Sequence, residues 1–118
     1  QLSKYYNLGD VFVMPSIRDE EGNIDASPVA MMEAMSCGTP VVATKFSGND
    51  ELIQSGKTGF MVSEKDSQEI SKSVIDLLKS ESGPKRKKAV RKIAIDNFST
   101  KVVARRYIEH FKFALAQK

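Results

Sequence analysis

Asp10-Val-Phe-Val-Met-Pro15, then Ser27-Pro28-Val-Ala-Met-Met-Glu-Ala-Met-Ser-Cys-Gly38 and Pro40-Val-Val-Ala-Thr44, decide the fold of this chain. The first run is short, nearly all apolar and bounded by Gly9 and Pro15, the pattern of a strand buried on both faces of a parallel sheet. Ser27 as N-cap and Pro28 at the first helical position open a helix, which Gly38 ends. The last run is the next buried strand. Strand, helix, strand with tight turns is a βαβ unit, and such crossovers are right-handed.

Working outward, residues 46–55 read as a loop carrying a short helix at 50–54, and Gly59-Phe-Met-Val62 as a third strand. Asp66 with Glu69 three positions on has the form of a capping box, and Ile70, Val74, Leu77 and Leu78 form a core-facing stripe. A further helix starts near Pro84 with Ala89, Val90, Ile93 and Ala94 on one face. The last follows Asn97-Phe98-Ser99, with Ala104, Tyr107, Ile108, Phe111 and Leu115 as its stripe. The fold class is α/β: a partial doubly wound, Rossmann-like parallel sheet with a helical C-terminus.

At 118 residues the chain is one modest domain with ordinary hydrophobic and charged fractions. No apolar stretch approaches the roughly 18 residues of a membrane span. The opening Gln1-Leu-Ser-Lys-Tyr-Tyr6 lacks an initiator Met and a signal peptide, and reads as the tail of a helix in a longer protein. Cys37 is the sole cysteine, which excludes an internal disulfide and favours a reducing compartment. As a nucleophile it has no base nearby, since His110 falls on a distant surface-type helix. The net charge of +3 is mild.

Three tempting motifs fail on inspection. Gly56-Lys57-Thr58 resembles the end of a phosphate-binding P-loop, but Glu51 stands where the first glycine belongs and a strand follows where a helix should. Lys57 is a turn residue. Asp19-Glu-Glu-Gly-Asn23 would need Ile17 as its first calcium ligand, so it is a solvated acidic loop. Lys85-Arg-Lys-Lys88 with Arg91 and Lys92 reads as the wet face of a helix, ahead of a contact with anionic lipid or nucleic acid. No aromatic side chains are interleaved for base stacking.

Glu33 is the one carboxylate in its apolar run, and burying an unpaired acid costs several kcal/mol. Its position therefore suggests a cleft or ligand, against the plainer reading that the helix turns it to solvent. Asp25 precedes it by eight residues. In open parallel sheets ligands lie beyond the carboxyl ends of the strands, near helix N-termini. Free N–H groups around Val29 and Ala30 suit an anion or a sugar oxygen there. Two carboxylates can each hold a vicinal diol by charge-assisted hydrogen bonds worth about 1.5–3 kcal/mol apiece. By chemistry alone that points loosely to a carbohydrate or nucleotide.

The runs from Asp10 to Ser16 and from Asp25 to Ala43, with Ser47-Gly48, Glu51-Leu52-Ile53 and Gly56-Lys-Thr-Gly-Phe-Met-Val62, closely resemble the C-terminal, donor-binding domain of group 1 (family 4) GT-B glycosyltransferases. The acidic insert before Asp25 is similar to bacterial exopolysaccharide and colanic-acid-type members. The resemblance implies two facing doubly wound domains, of which this chain is a C-terminal portion of the second. By the family's two acids eight apart, Asp25 would touch donor-sugar hydroxyls and Glu33 the ribose of the nucleotide. The backbone of Ala26, Ser27, Pro28 and Val29 would lie along the sugar and diphosphate. Transfer from a nucleotide-diphosphate sugar would retain anomeric configuration and use neither a cofactor nor a metal. The acceptor, a glycan or lipid-linked glycan, would sit on the N-terminal domain. Surface polysaccharide synthesis would place the protein in the cytoplasm, peripheral to the inner face of the membrane, with no nucleic-acid partner.

The chain departs from the family in several places. Asp25 stands for the usual Glu and reaches about one methylene less, and Ala26, Ser27 and Pro28 replace a Gly-rich turn. The basic pair that neutralises the leaving diphosphate is expected upstream of this chain, so its catalytic residues are unknown and the piece alone is expected to be inactive. Arg18 and Lys45, at strand ends, are the weaker candidates for that charge. The rival reading is a non-catalytic module derived from such a domain, binding a nucleotide or a partner protein. A basic adaptor for membranes or nucleic acid, using residues 85–92, is a third.

Overall fold

Every residue of the strand Val41–Thr44 is buried because it runs through the middle of the sheet. The computed structural model describes residues 1–24, 28–46, 51–80 and 83–117. Its three parallel strands are β1 (Phe12–Met14), β2 (Val41–Thr44) and β3 (Gly59–Val62), in the order β1-β2-β3. Phe12 pairs with Val41 and Met14 with Ala43 on one side, and Val41 with Gly59 and Thr44 with Val62 on the other. The helices are α1 (Leu2–Leu8), α2 (Pro28–Ser36), α3 (Ser67–Lys79), α4 (Gly83–Phe98) and α5 (Thr100–Ala116).

Side chains alternate across a strand, so β2 feeds two cores. Val41 and Ala43 join Met31, Ala34 and Met35 of α2 and Val90 and Ala94 of α4. Val42 joins Val62 and Leu77 on the other face, beneath α3. Helices therefore cover both faces of the sheet, as expected. At the start of α3 the Asp66 carboxylate accepts the Glu69 N–H at 2.8 Å. The Glu69 carboxylate reaches past Asp66 to the Ser63 N–H at 2.6 Å, so the box caps the helix and ties down the loop before it.

Several expectations are corrected. β1 lies at the sheet edge, where α2 covers Phe12 and Met14 but Val13, on the other face, is left 39% exposed. The expected helix at 50–54 is a turn over its described residues, anchored by burial of Leu52 and Ile53. Leu78 and Ala89 face solvent, because α3 and α4 each pack through a stripe narrower than their apolar residues. The stripe of α5 is real but uncovered: Ala104, Tyr107, Ile108, Phe111 and Leu115 are all exposed. The Ser27 cap falls outside the described residues.

The basic run on α4 is only partly a wet face. Arg86 donates to the Leu77 carbonyl and the Ser80 hydroxyl, both at 2.9 Å, in the last turn and C-cap of α3. Lys87 donates to the Gly9 carbonyl at 3.4 Å, just past α1, and Arg91 to the Ser36 carbonyl at 2.7 Å, the last residue of α2. Three cations on one helix thus satisfy the orphan carbonyls at three helix C-termini, where the helix dipole also favours positive charge. Lys85, Lys88 and Lys92 stay exposed. At the end of α2, Gly38 at φ +85° allows the closing bonds from Gly38 N–H to Met35 and Thr39 N–H to Ala34.

Candidate functional site

On α2 the residues Val29, Met32, Glu33, Ser36 and Cys37 recur at helical spacing, and so share one face. The opposite face, with Met31, Ala34 and Met35, is fully buried against the sheet and α4. The first face meets Leu2, Ser3 and Tyr6 of α1 and, at the α4–α5 junction, Phe98 and Thr100, to line a groove of about 480 Å³. Glu33 is exposed at this groove, so its carboxylate carries no burial penalty. The desolvation argument raised by its apolar neighbours does not apply, because those neighbours divide between two faces.

Glu33 has a partner. The Tyr6 hydroxyl donates to its Oε2 at 3.2 Å. Tyr6 is itself held on two sides: its ring meets Phe12 of β1 edge-on, at 5.6 Å between centroids and 78° between planes. Its backbone carbonyl accepts the hydroxyl of buried Thr39 at 2.6 Å. Partial burial first, and then the Glu33 carboxylate beside it, push the phenol above its ordinary titration range. At neutral pH it therefore stays protonated and donates.

Of the predicted site residues, Val29 and Glu33 are brought together in this groove, one turn apart. Asp25, Ala26 and Ser27 lie outside the described residues, and Pro28 is the first residue of α2. Beyond the carboxyl ends of the strands, the segment after β1 crosses to the far side of the sheet. There the Arg18 N–H donates to Glu64 Oε1, past the end of β3, at 2.6 Å. The side chains of Arg18 and Lys45 are exposed. The acidic loop is organised by Asp19, whose carboxylate accepts from the Asn23 side chain and from the Glu21 and Asn23 N–H groups at 2.7–3.0 Å. Those bonds, the Asn23 side chain foremost, hold its pKa below the usual range. Among the described residues no group of three His, Cys, Asp or Glu is placed to hold a metal.

A second cavity, of about 290 Å³, lies where the chain enters β1 and β2, lined by Asp10, Pro40, Ser80, Arg86 and Lys87. Its cations are already engaged by carbonyls, the Ser80 hydroxyl and Asp10. The larger groove has an acceptor, Glu33 Oε1, turned to no described partner, and it is the better candidate.

These features define the class: an open, parallel, Rossmann-like α/β module whose candidate site lies on the helix after its first strand. The profile of the family "Glycosyl transferases group 1" matches residues 1–96. The chain belongs to that family. It is 37% identical over 99 residues to a colanic acid biosynthesis glycosyltransferase of Escherichia coli K12, covering 81% of this chain and 24% of that protein. It is 35% identical over 81 residues to an amylovoran biosynthesis glycosyltransferase of Erwinia amylovora, covering 69% of this chain and 20% of the relative. The chain thus spans a quarter or less of the length of these relatives. Sucrose-phosphate synthase from Thermosynechococcus elongatus superposes with a TM-score of 0.77 at 23% identity, over 97% of this chain and 27% of that one. That likeness shows the fold, which is of GT-B type.

Sequence reasoning missed Tyr6. Its pairing with Glu33 spans 27 residues and depends on how α1 docks on α2. A tyrosine six residues ahead of a buried strand's first side chain was the only signal, and it does not name a partner.

Proposed function

We propose that the chain is the donor-binding portion of a retaining glycosyltransferase that moves a sugar from a nucleotide-diphosphate sugar to a glycan or lipid-linked acceptor in surface polysaccharide synthesis. Glu33 holds the ribose diol, its carboxylate accepting hydrogen bonds from the hydroxyls. Asp25 grips the donor-sugar hydroxyls, and the backbone from Ala26 to Val29 follows the sugar and diphosphate. The N-terminal end of α2 favours the diphosphate's negative charge. No metal and no cofactor is required. Stabilising the charge on a leaving diphosphate is usually the largest catalytic term. The basic pair that does this in the family has no match in this sequence, so the chain alone binds donor without turning it over. The acceptor is held by a preceding domain, and the enzyme works in the cytoplasm against the membrane's inner face.

The observation that carries this reading is Glu33 standing exposed in the groove beside Val29, within a chain of the glycosyl transferase family. Calorimetric titration with uridine, guanosine and adenosine diphosphate sugars tests it. Glu33→Ala should lose at least about tenfold in affinity, the value of one charge-assisted hydrogen bond, with circular dichroism unchanged. Equal affinity in the variant would overturn the role given to Glu33.

A further inference from the structure

We propose that Tyr6 is a positioning residue for Glu33: its hydroxyl occupies Oε2 and leaves Oε1 as the acceptor presented to the nucleotide's ribose. The proposal rests on the reading of Glu33 as the ribose-binding acid. A glutamate on an exposed helix face has three side-chain torsions, and a ligand that orders them must offset the lost rotamer freedom. Here that ordering is done before the ligand arrives. The Tyr6 hydroxyl fixes one oxygen at 3.2 Å. The ring packs edge-on against Phe12, and Thr39 anchors the backbone carbonyl of the residue from which the side chain projects. The hold therefore passes from β1 and the end of α2 through α1 to the carboxylate.

Two consequences follow for recognition. With Oε2 engaged, Glu33 keeps Oε1 free to accept from a ribose hydroxyl, and the phenol oxygen remains an acceptor for its neighbour. A nucleotide lacking the 2′-hydroxyl makes one hydrogen bond fewer to these acceptors, and a carboxylate held in place loses more by that than a mobile one, which can turn to the remaining hydroxyl. Tyr6→Phe removes the donor while keeping the ring against Phe12, so the docking of α1 is preserved.

The test is an NMR titration of the 118-residue chain with uridine, guanosine and adenosine diphosphates and their 2′-deoxy counterparts. It uses wild type, Tyr6→Phe, Glu33→Ala and the double variant. For the ribonucleotide that binds most tightly, Tyr6→Phe should weaken binding about three- to tenfold, the range for one lost hydrogen bond. The ratio of ribo- to deoxyribonucleotide affinity should fall toward one, and adding Tyr6→Phe to Glu33→Ala should change nothing further. If Glu33→Ala weakens binding and Tyr6→Phe does not, the positioning role is overturned while the reading of Glu33 stands. If Tyr6→Phe costs as much in the Glu33→Ala background as alone, Tyr6 acts by another route and the proposal is likewise overturned. If no diphosphate binds, or Glu33→Ala binds as wild type does, both readings fail together.

Discussion

A Cβ placed on Gly59 would stand 1.7 Å from the carbonyl oxygen of Val41, its partner in the sheet register. No side chain fits there while β2 and β3 remain paired. Gly59→Ala should therefore destabilise the protein by about 4 kcal/mol or prevent folding, at the extreme of single-site effects. Urea unfolding followed by circular dichroism checks this; a loss under about 1 kcal/mol would mean that the strands do not approach as described. The same residue shows what sequence reading reaches at this scale. Gly59 was legible as the start of a strand, because turn residues precede it and apolar ones follow. Its need to be glycine was not, since the clashing atom belongs to a residue 18 positions earlier. Glu33 divides in the same way. Its isolation among apolar neighbours was visible in the sequence, whereas its exposure and its bond to Tyr6 depend on helix phase and packing.

Among the elements, β2, β3 and the start of α3 were legible because local chemistry decides them. The apolar run of β2 can be buried on both faces of a sheet, and an aspartate three residues before a glutamate caps a helix. The basic run on α4 was only half legible: Lys85, Lys88 and Lys92 are the exposed face expected, whereas Arg86, Lys87 and Arg91 reach backbone carbonyls, which no residue identity reveals. Arg86 has the most to lose: its fork holds both the Leu77 carbonyl and the Ser80 hydroxyl. Arg86→Ala should cost about 1–2 kcal/mol, against at most about 0.5 for exposed Lys88→Ala on the same helix. Arg86→Lys should recover only part of the loss, since a single ammonium cannot reproduce the planar two-point contact. Unfolding midpoints of the three variants decide it. Equal losses at Arg86 and Lys88 would return the whole run to the status of a solvated face.

For the whole molecule, the radius of gyration is 16.1 Å, with extents of 53 × 40 × 28 Å. A compact domain of this length would have a radius of about 13–14 Å. The excess has a visible source in α5, which has no buried residue beyond the half-buried Val102 and Val103 of its first turn. Tyr107, Ile108, Phe111, Phe113 and Leu115 are between 53% and 69% exposed. Its amphipathic stripe was legible in the sequence; that no described residue of this chain covers it was not, because a pattern names a face and not a partner. An isolated helix of this length is marginal in water, so α5 has little to hold it beyond its junction with α4. Stability should then be graded along the chain. Amide exchange from Ala104 onward should proceed by local opening at near-zero free energy, while Val42 and Ala43 exchange only on global unfolding. Ending the chain at Ser99 should leave the unfolding free energy within about 0.5 kcal/mol of the intact value, as for changes away from a packed core. A loss of more than about 2 kcal/mol, or protection in α5 equal to that of β2, would mean that the stripe is covered in solution, by a second copy of this chain or by a fold of α5 back onto the sheet.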